Sequence, residues 1–223
     1  PPVAPTMPSS TNSAPAAALD SVVTRYHRLE RTASGATGLF VGLAAAGLVL
    51  LLPLWQGVLA AGVVLAGFRV PLFTTGGHAR LRTTLSPQTI QQSFAGPRPP
   101  VLPLQWGIAD EITPLERGAQ YNLSYLFGLR SITMETTLTE TPAAATDFEL
   151  RVTAGDAPWG TYGVTLIEEA DATVIKITVE SDRRFGLRGL PSWLIAQRYY
   201  DPALTAQGYT VVSRERSLSL RRG

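Results

Sequence analysis

Forty consecutive residues, from Ser34 to Phe73, carry a single formal charge, Arg69. They read SGATGLFVGLAAAGLVLLLP and then LWQGVLAAGVVLAGFRVPLF, and no other stretch restricts the fold as strongly. About 20 apolar residues cross about 30 Å of hydrocarbon, so this length suits two transmembrane helices joined by a tight turn. Pro53-Leu54-Trp55-Gln56-Gly57 supplies a helix breaker, an interfacial aromatic and a flexible residue where that turn belongs. Arg25, Arg28 and Arg31 precede the first span, Arg69, Arg80 and Arg82 flank the far end of the second, and the turn has no basic residue. That asymmetry predicts a two-span protein of the cell membrane with both termini cytoplasmic. Trp55 and Arg69 are read as membrane anchors, Arg69 snorkelling from one turn inside the end of its span. Gly38-xxx-Gly42-xxx-Ala46 and Gly62-xxx-Ala66 allow close helix approach, within the hairpin or, alternatively, between copies in a homo-oligomer.

Only 16% of residues are charged, against about 25% in an average globular chain, which agrees with a membrane segment. With no Cys there is no disulfide, thiol nucleophile or zinc–thiolate site, and His27 and His78 lie too far apart in sequence to suggest a metal centre. The net charge of +2 arises in the first 73 residues, where Arg25, Arg28, Arg31 and Arg69 face Asp20 and Glu30. From Thr74 onward 15 basic residues balance 15 acidic ones, so no electrostatic footprint for nucleic acid is present. No phosphate loop, dinucleotide fingerprint or metalloprotease helix occurs, and no cofactor is expected. Gly186-Leu187-Arg188-Gly189 is too short to cradle phosphate and reads as a loop into a helix. Asp110-Glu111, after Trp106-Gly107, reads as an exposed acidic loop, and Glu168-Glu169-Ala170-Asp171-Ala172 as a solvated hairpin tip. His78 is the sole histidine of the C-terminal domain, so no nucleophile, base and orienting group assemble, and the chain is read as non-enzymatic. Asn122-Leu123-Ser124 has the glycosylation pattern, but a cytoplasmic domain never meets the transferase.

Four segments follow. Residues 1–20, PPVAPTMPSSTNSAPAAALD, lack large apolar side chains and are expected to be disordered, with Met7 a candidate native start. Residues 21–33 place Val22, Tyr26 and Leu29 at helical spacing, predicting a short amphipathic helix on the membrane surface. Residues 34–73 form the hairpin. Residues 79–223 form one cytoplasmic α+β domain, opening with a strand at Ala79–Leu85 and a helix capped by Ser86 and started by Pro87. The proline-rich stretch to Leu104 reads as a loop. Antiparallel strands are expected at Ala119–Phe127, Arg130–Thr139, Asp147–Thr153, Tyr162–Glu169 and Thr173–Ser181. A late amphipathic helix carries Leu190, Trp193, Leu194, Ile195 and Tyr199, with an interruption at Asp201-Pro202 and a stop at Gly208, and Tyr209–Leu220 closes as a strand.

Strand, Ser86-Pro87 helix entry, a run of antiparallel strands and the Leu190–Tyr199 helix together resemble the START-like helix-grip superfamily, which includes lipid-transfer and polyketide cyclase-like proteins, over about residues 79–208. The resemblance implies a mainly antiparallel sheet gripping the late helix around an elongated cavity for a lipid or other apolar molecule. A β-sandwich with peripheral helices is the alternative. Trp106, Tyr121, Tyr125, Phe148, Tyr162, Trp193 and Tyr199, from an aromatic set that also holds Phe127 and Trp159, are the residues expected to line such a cavity. The leading expectation is a membrane-anchored protein whose cytoplasmic domain holds an apolar or lipid-like ligand. The alternative is a non-catalytic assembly subunit that recruits or stabilises a membrane-protein complex.

Overall fold

One helix, not two separate segments, opens the chain in the computed structural model, which describes residues 13–125, 130–140 and 146–220 and, of these, all side chains but 13–16, 125, 130, 182, 183 and 220. Helix α1 runs from Ser13 to Leu51, 39 residues, or about 58 Å at 1.5 Å per residue. Residues 13–20, expected to be disordered, are its first two turns, while residues 1–12 lie outside the described residues. The physical reason is a partner. Leu19, Val23 and Tyr26, spaced by four and three, are buried against the C-terminal domain, so this half of the helix docks on protein where a membrane surface was expected. Leu29, expected on the apolar stripe, is 45% exposed.

After a break at Leu52 and Pro53, helix α2 (Leu54–Arg69) packs back on α1. Val41 and Ala45 of α1 and Ala61 of α2 are buried where the two helices pack. A Cβ on Gly57 would fall 2.6 Å from the Leu48 carbonyl oxygen, so only glycine lets the two backbones meet there. Gly38, Gly42 and Gly62 have open space where a Cβ would stand, so these small residues face away from the seam they were expected to form. Among the described residues one helix, Ala17–Leu51, is long and apolar enough to cross a membrane, and its apolar half is exposed apart from the Val41 and Ala45 seam. At 16 residues α2 is shorter than that length.

The rest is an α+β domain. Eight antiparallel strands form a single sheet: β1 (Phe73–Thr83), β2 (Glu111–Leu115), β3 (Gly118–Tyr125), β4 (Arg130–Glu140), β5 (Phe148–Ala154), β6 (Ala157–Glu169), β7 (Ala172–Phe185) and β8 (Thr210–Leu220). Their order is β2-β3-β4-β5-β6-β7-β1-β8, so the described residues hold no second sheet and the sandwich alternative falls away. Alternation decides the inner face: Phe148, Leu150 and Val152 are buried while Arg151 between them is exposed. That face is covered by α3 (Pro87–Ala95), α4 (Pro103–Trp106), α5 (Leu190–Ala206) and the first half of α1.

Local chemistry explains most of the elements. Ser86 caps α3 by accepting the Thr89 amide at 3.3 Å, Pro87 takes the first turn, and Ile90 and Phe94, four apart, are fully buried. The interruption expected in the late helix does not occur. α5 continues through Pro202 because Ala203 and Leu204, just beyond it, are fully buried, which outweighs the one hydrogen bond a proline forfeits. The helix ends in a Schellman motif: Gly208, at φ +86°, donates to Thr205, and Tyr209 donates to Leu204. Three further differences are that β1 begins six residues earlier than expected, α4 forms inside the proline-rich loop, and Glu111 of the expected acidic loop opens β2.

Candidate functional site

Helix α5 is the element that most side-chain chemistry converges on. On one side α1 runs antiparallel to it, with Tyr26 edge-on to Tyr199 at 6.2 Å between ring centroids and Ser34 Oγ 3.3 Å from Ser192 Oγ. On the other side lies β8. Alternation along β8 from Val211 would send Ser213 and Glu215 inward. A bulge intervenes: Leu81 pairs with Val211, but the preceding Arg80 pairs with Ser213, so Val212 is an extra residue and the phase flips. Arg214 and Arg216 therefore turn inward, opposite Ala79 and Gly77 of β1.

There they lock the helix. Arg214 donates to Asp201 Oδ1 at 2.5 Å and to Gln197 Oε1 at 3.4 Å, and its guanidinium lies 3.9 Å from the Tyr200 ring centroid. Arg216 donates to the same Asp201 oxygen at 3.3 Å. Arg214 is only 15% exposed, so its fork of donors and its stacking face are both used out of bulk water, which Lys could not reproduce. The Tyr200 hydroxyl donates to the Val101 carbonyl at 2.6 Å, tying α5 to the segment before α4. Sequence reading passed over Gln197, Tyr200, Asp201, Arg214 and Arg216. The i, i+2 spacing of the two arginines puts them on one face of a strand, but the bulge that selects the inner face leaves no motif.

Burial pushes the Tyr200 phenol from its ordinary 10 up to about 12, with Arg214 pulling against that shift. Burial raises Tyr162 well above its ordinary value, and raises Tyr121 and Tyr209 as well. Between pH 10 and 12 the unfolded chain releases the Tyr200 proton while the folded chain keeps it, so stability falls as pH rises, by about 3 kcal/mol over the window. Tyr200→Phe loses the hydrogen bond to Val101 and is expected to be about 1 kcal/mol less stable at pH 8. That deficit should shrink and then reverse by pH 12, as read from urea midpoints across the range; a constant deficit would refute the assignment.

The expected ligand-binding set divides. Trp106, Tyr121, Phe148 and Tyr162 belong to the hydrophobic core. Phe148 stands edge-on to Phe94 at 5.3 Å, Trp106 Nε1 donates to the Pro99 carbonyl at 3.0 Å, and the Tyr121 hydroxyl donates to Pro97 at 3.2 Å. Trp193 and Tyr199 are half-buried on α5, and the side chain of Tyr125, like all of Phe127, lies outside the described residues. The described residues include two open depressions. One, of about 320 Å³, is polar and lined by Arg82, Thr83, Thr84, Asp171 and Thr210 among others; the second, of about 270 Å³, lies between Leu19, Leu85, Arg98, Gln207 and Tyr209. Neither is lined by any of the seven expected aromatics. The first lies where β1 and α5 end and the second where α5 ends beside the start of α1, both away from the apolar helices.

The remaining candidates are placed apart. Trp55 is 70% exposed at the start of α2, and Arg69 is exposed at its end. Asp110 accepts the Ser124 amide at 2.7 Å, and hydrogen bonding from Ser124 holds its carboxyl below the ordinary range. Burial and the adjacent Arg31 lower His27, which His78 does not approach: His78 Nδ1 lies 3.3 Å from Thr178 Oγ1. Among the described residues no His, Asp and Glu cluster could hold a metal ion.

No family model and no curated protein matches the chain. Among solved structures it is similar to the Mll3558 protein from Rhizobium loti, at 17% identity and a TM-score of 0.38, covering 60% of this chain and 98% of that one. It is also similar to a putative uncharacterized protein from Rhizobium leguminosarum, at 12% identity and a TM-score of 0.30, covering 58% of this chain and 96% of that one.

Proposed function

We propose that this chain is a membrane-anchored, non-catalytic assembly subunit: a two-span hairpin that holds an α+β platform against the cytoplasmic face for a membrane-protein partner or a second copy. The observation that carries this reading is the continuity of α1, whose first half is docked along α5 while its second half is apolar and exposed. Leu39, Phe40, Leu43, Leu50 and Leu51 are all more than 60% exposed, a surface that water does not tolerate in a soluble monomer. Ser34 to Leu51 spans about 27 Å as helix and α2 about 24 Å, somewhat short of about 30 Å of hydrocarbon, a mismatch that local bilayer thinning and the snorkelling Arg69 take up. Basic flanks at Arg25, Arg28, Arg31, Arg69, Arg80 and Arg82, with none in the turn, favour cytoplasmic termini. The open faces of Gly38, Gly42 and Gly62 leave room for a further helix.

The apolar-ligand reading, with its START-like resemblance, is the second proposal. The element order β1, α3, α4, β2 to β7, α5 favours it, as does the partly apolar depression beside Leu19, Leu85 and Tyr209. It requires α5 and α1 to open, because the four core aromatics of the expected site are packed.

One measurement tests the anchor that both readings share, and a second separates them. Since the chain has no Cys, Gln56→Cys and Glu116→Cys are unique labelling sites; Gln56→Cys should react with an impermeant maleimide on intact cells and Glu116→Cys only after permeabilisation. Native mass spectrometry from detergent should then show a second protein chain or copy without retained lipid. Retained lipid beyond the annulus on a single chain would favour the second reading, and equal labelling of both cysteines in intact cells would remove the topology.

A further inference from the structure

The end of the domain that meets the apolar helices has a charge and exposure pattern of its own. The Leu72 amide donates to the Phe185 carbonyl at 3.1 Å, and the Phe73 and Phe185 rings lie 5.7 Å apart, so the root of α2 is tied to the end of β7. Gly186 follows so closely that a Cβ there would fall 2.7 Å from the Val70 carbonyl oxygen and 2.9 Å from that of Phe68. A 3₁₀ turn, Leu187–Gly189, then leads into α5, where Ser192 meets Ser34 at the root of the apolar half of α1. Arg69, Arg184 and Arg188 are thereby gathered at one end, all exposed, and none of them makes an ion pair among the described residues. Residues 66–79 and 184–200 contain no Asp or Glu, and the neighbouring Asp182 and Arg183 cancel in charge. On the first turns of α5, Leu194 is 61% exposed and Trp193 half-buried.

We propose that this end is a docking surface for an anionic phospholipid headgroup layer, with Arg69, Arg184 and Arg188 over the headgroups and Leu194 dipping into the interface. The inference rests on the membrane-anchored reading above and adds to it the lipid class and the orientation. The bilayer is the occupant because the surface is continuous with the two apolar helices that enter it, so no gap remains for a soluble partner. Anionic lipid is selected by complementarity: three guanidiniums with no ion pair among the described residues meet phosphate oxygens with their forked donors. An apolar side chain beside basic ones is the composition of an interfacial contact. The first half of α1, docked on α5, makes this contact rigid.

The test uses the full chain in nanodiscs of phosphatidylcholine alone and of phosphatidylcholine with phosphatidylglycerol, with a nitroxide on Leu194→Cys. In the anionic discs the label should become accessible to oxygen and lose about threefold in accessibility to a water-soluble nickel relaxant. Arg184→Gln with Arg188→Gln should abolish that change, both being exposed and outside the core. A second label, on Phe40→Cys, reports the anchor independently. Oxygen accessibility at residue 40 with a water-exposed label at 194 in both discs would overturn the docking surface and leave the anchor standing. A water-exposed label at 40 would overturn both, and shielding of 194 from both relaxants would place protein there and refute the lipid contact.

Discussion

Gly118→Ala should lower the melting temperature of the domain by about 10 °C, the effect of losing about 4 kcal/mol in a domain of this size. Gly118 opens β3 at φ +156°, where side chains are rarely tolerated, and a Cβ built on it would land on the carbonyl oxygen of Thr136 in the neighbouring strand. The neighbouring strand cannot easily yield. Thr136 is fully buried, its hydroxyl accepts the Ala119 amide at 2.9 Å, and β4 is held on its other side by β5. The methyl group must therefore push β3 off β4 at the point where the register from Gly118–Thr137 to Tyr125–Arg130 begins. A shift below 3 °C in calorimetry would show that the strand end slides freely.

Phe148→Ala should cost about 3–5 kcal/mol, the range for deleting a fully buried aromatic ring. Phe148 is 1% exposed, stands edge-on to Phe94 of α3, and lies beside Leu150 and Val164 in the layer between sheet and helices. The same variant weighs the two functional proposals. A ring that lines an empty ligand cavity loses few contacts when truncated, so a cost below about 1 kcal/mol in lipid-free protein would favour the apolar-ligand reading. A cost in the full range, with Phe148→Leu at about 1 kcal/mol, would mean a filled core. Urea unfolding of the purified chain in detergent, monitored by far-ultraviolet circular dichroism, measures both.

Much of the domain was legible because its signals are local. Ser86-Pro87 caps and starts a helix with groups only three residues apart, the alternation Val174 to Val179 fixes a strand by its pleat, and Gly208 closes α5 where a left-handed residue is required. Pro202 misled for the same reason: locally a proline argues a break, but the buried Ala203 and Leu204 decide otherwise. The aromatic residues expected to line a cavity were identifiable as apolar, yet nothing in Trp106 or Tyr121 distinguishes a ring that faces ligand from one whose polar tip finds Pro99 or Pro97.

The sequence by itself determined the long apolar stretch, the absence of thiol and clustered-histidine chemistry, and the antiparallel α+β domain, since hydropathy, residue type and period-2 alternation are properties of neighbours along the chain. Tertiary structure alone decided that α1 runs unbroken from domain to apolar half, because α5 and the segment around α4 give Leu19, Val23 and Tyr26 something to be buried against. It also decided that Arg214 and Arg216 face inward, because one extra residue at Val212 exists only in the pairing of β8 with β1. Contacts between residues more than a hundred positions apart, as between Tyr26 and Tyr199, carry no periodic trace in either segment, and they set how this domain is held.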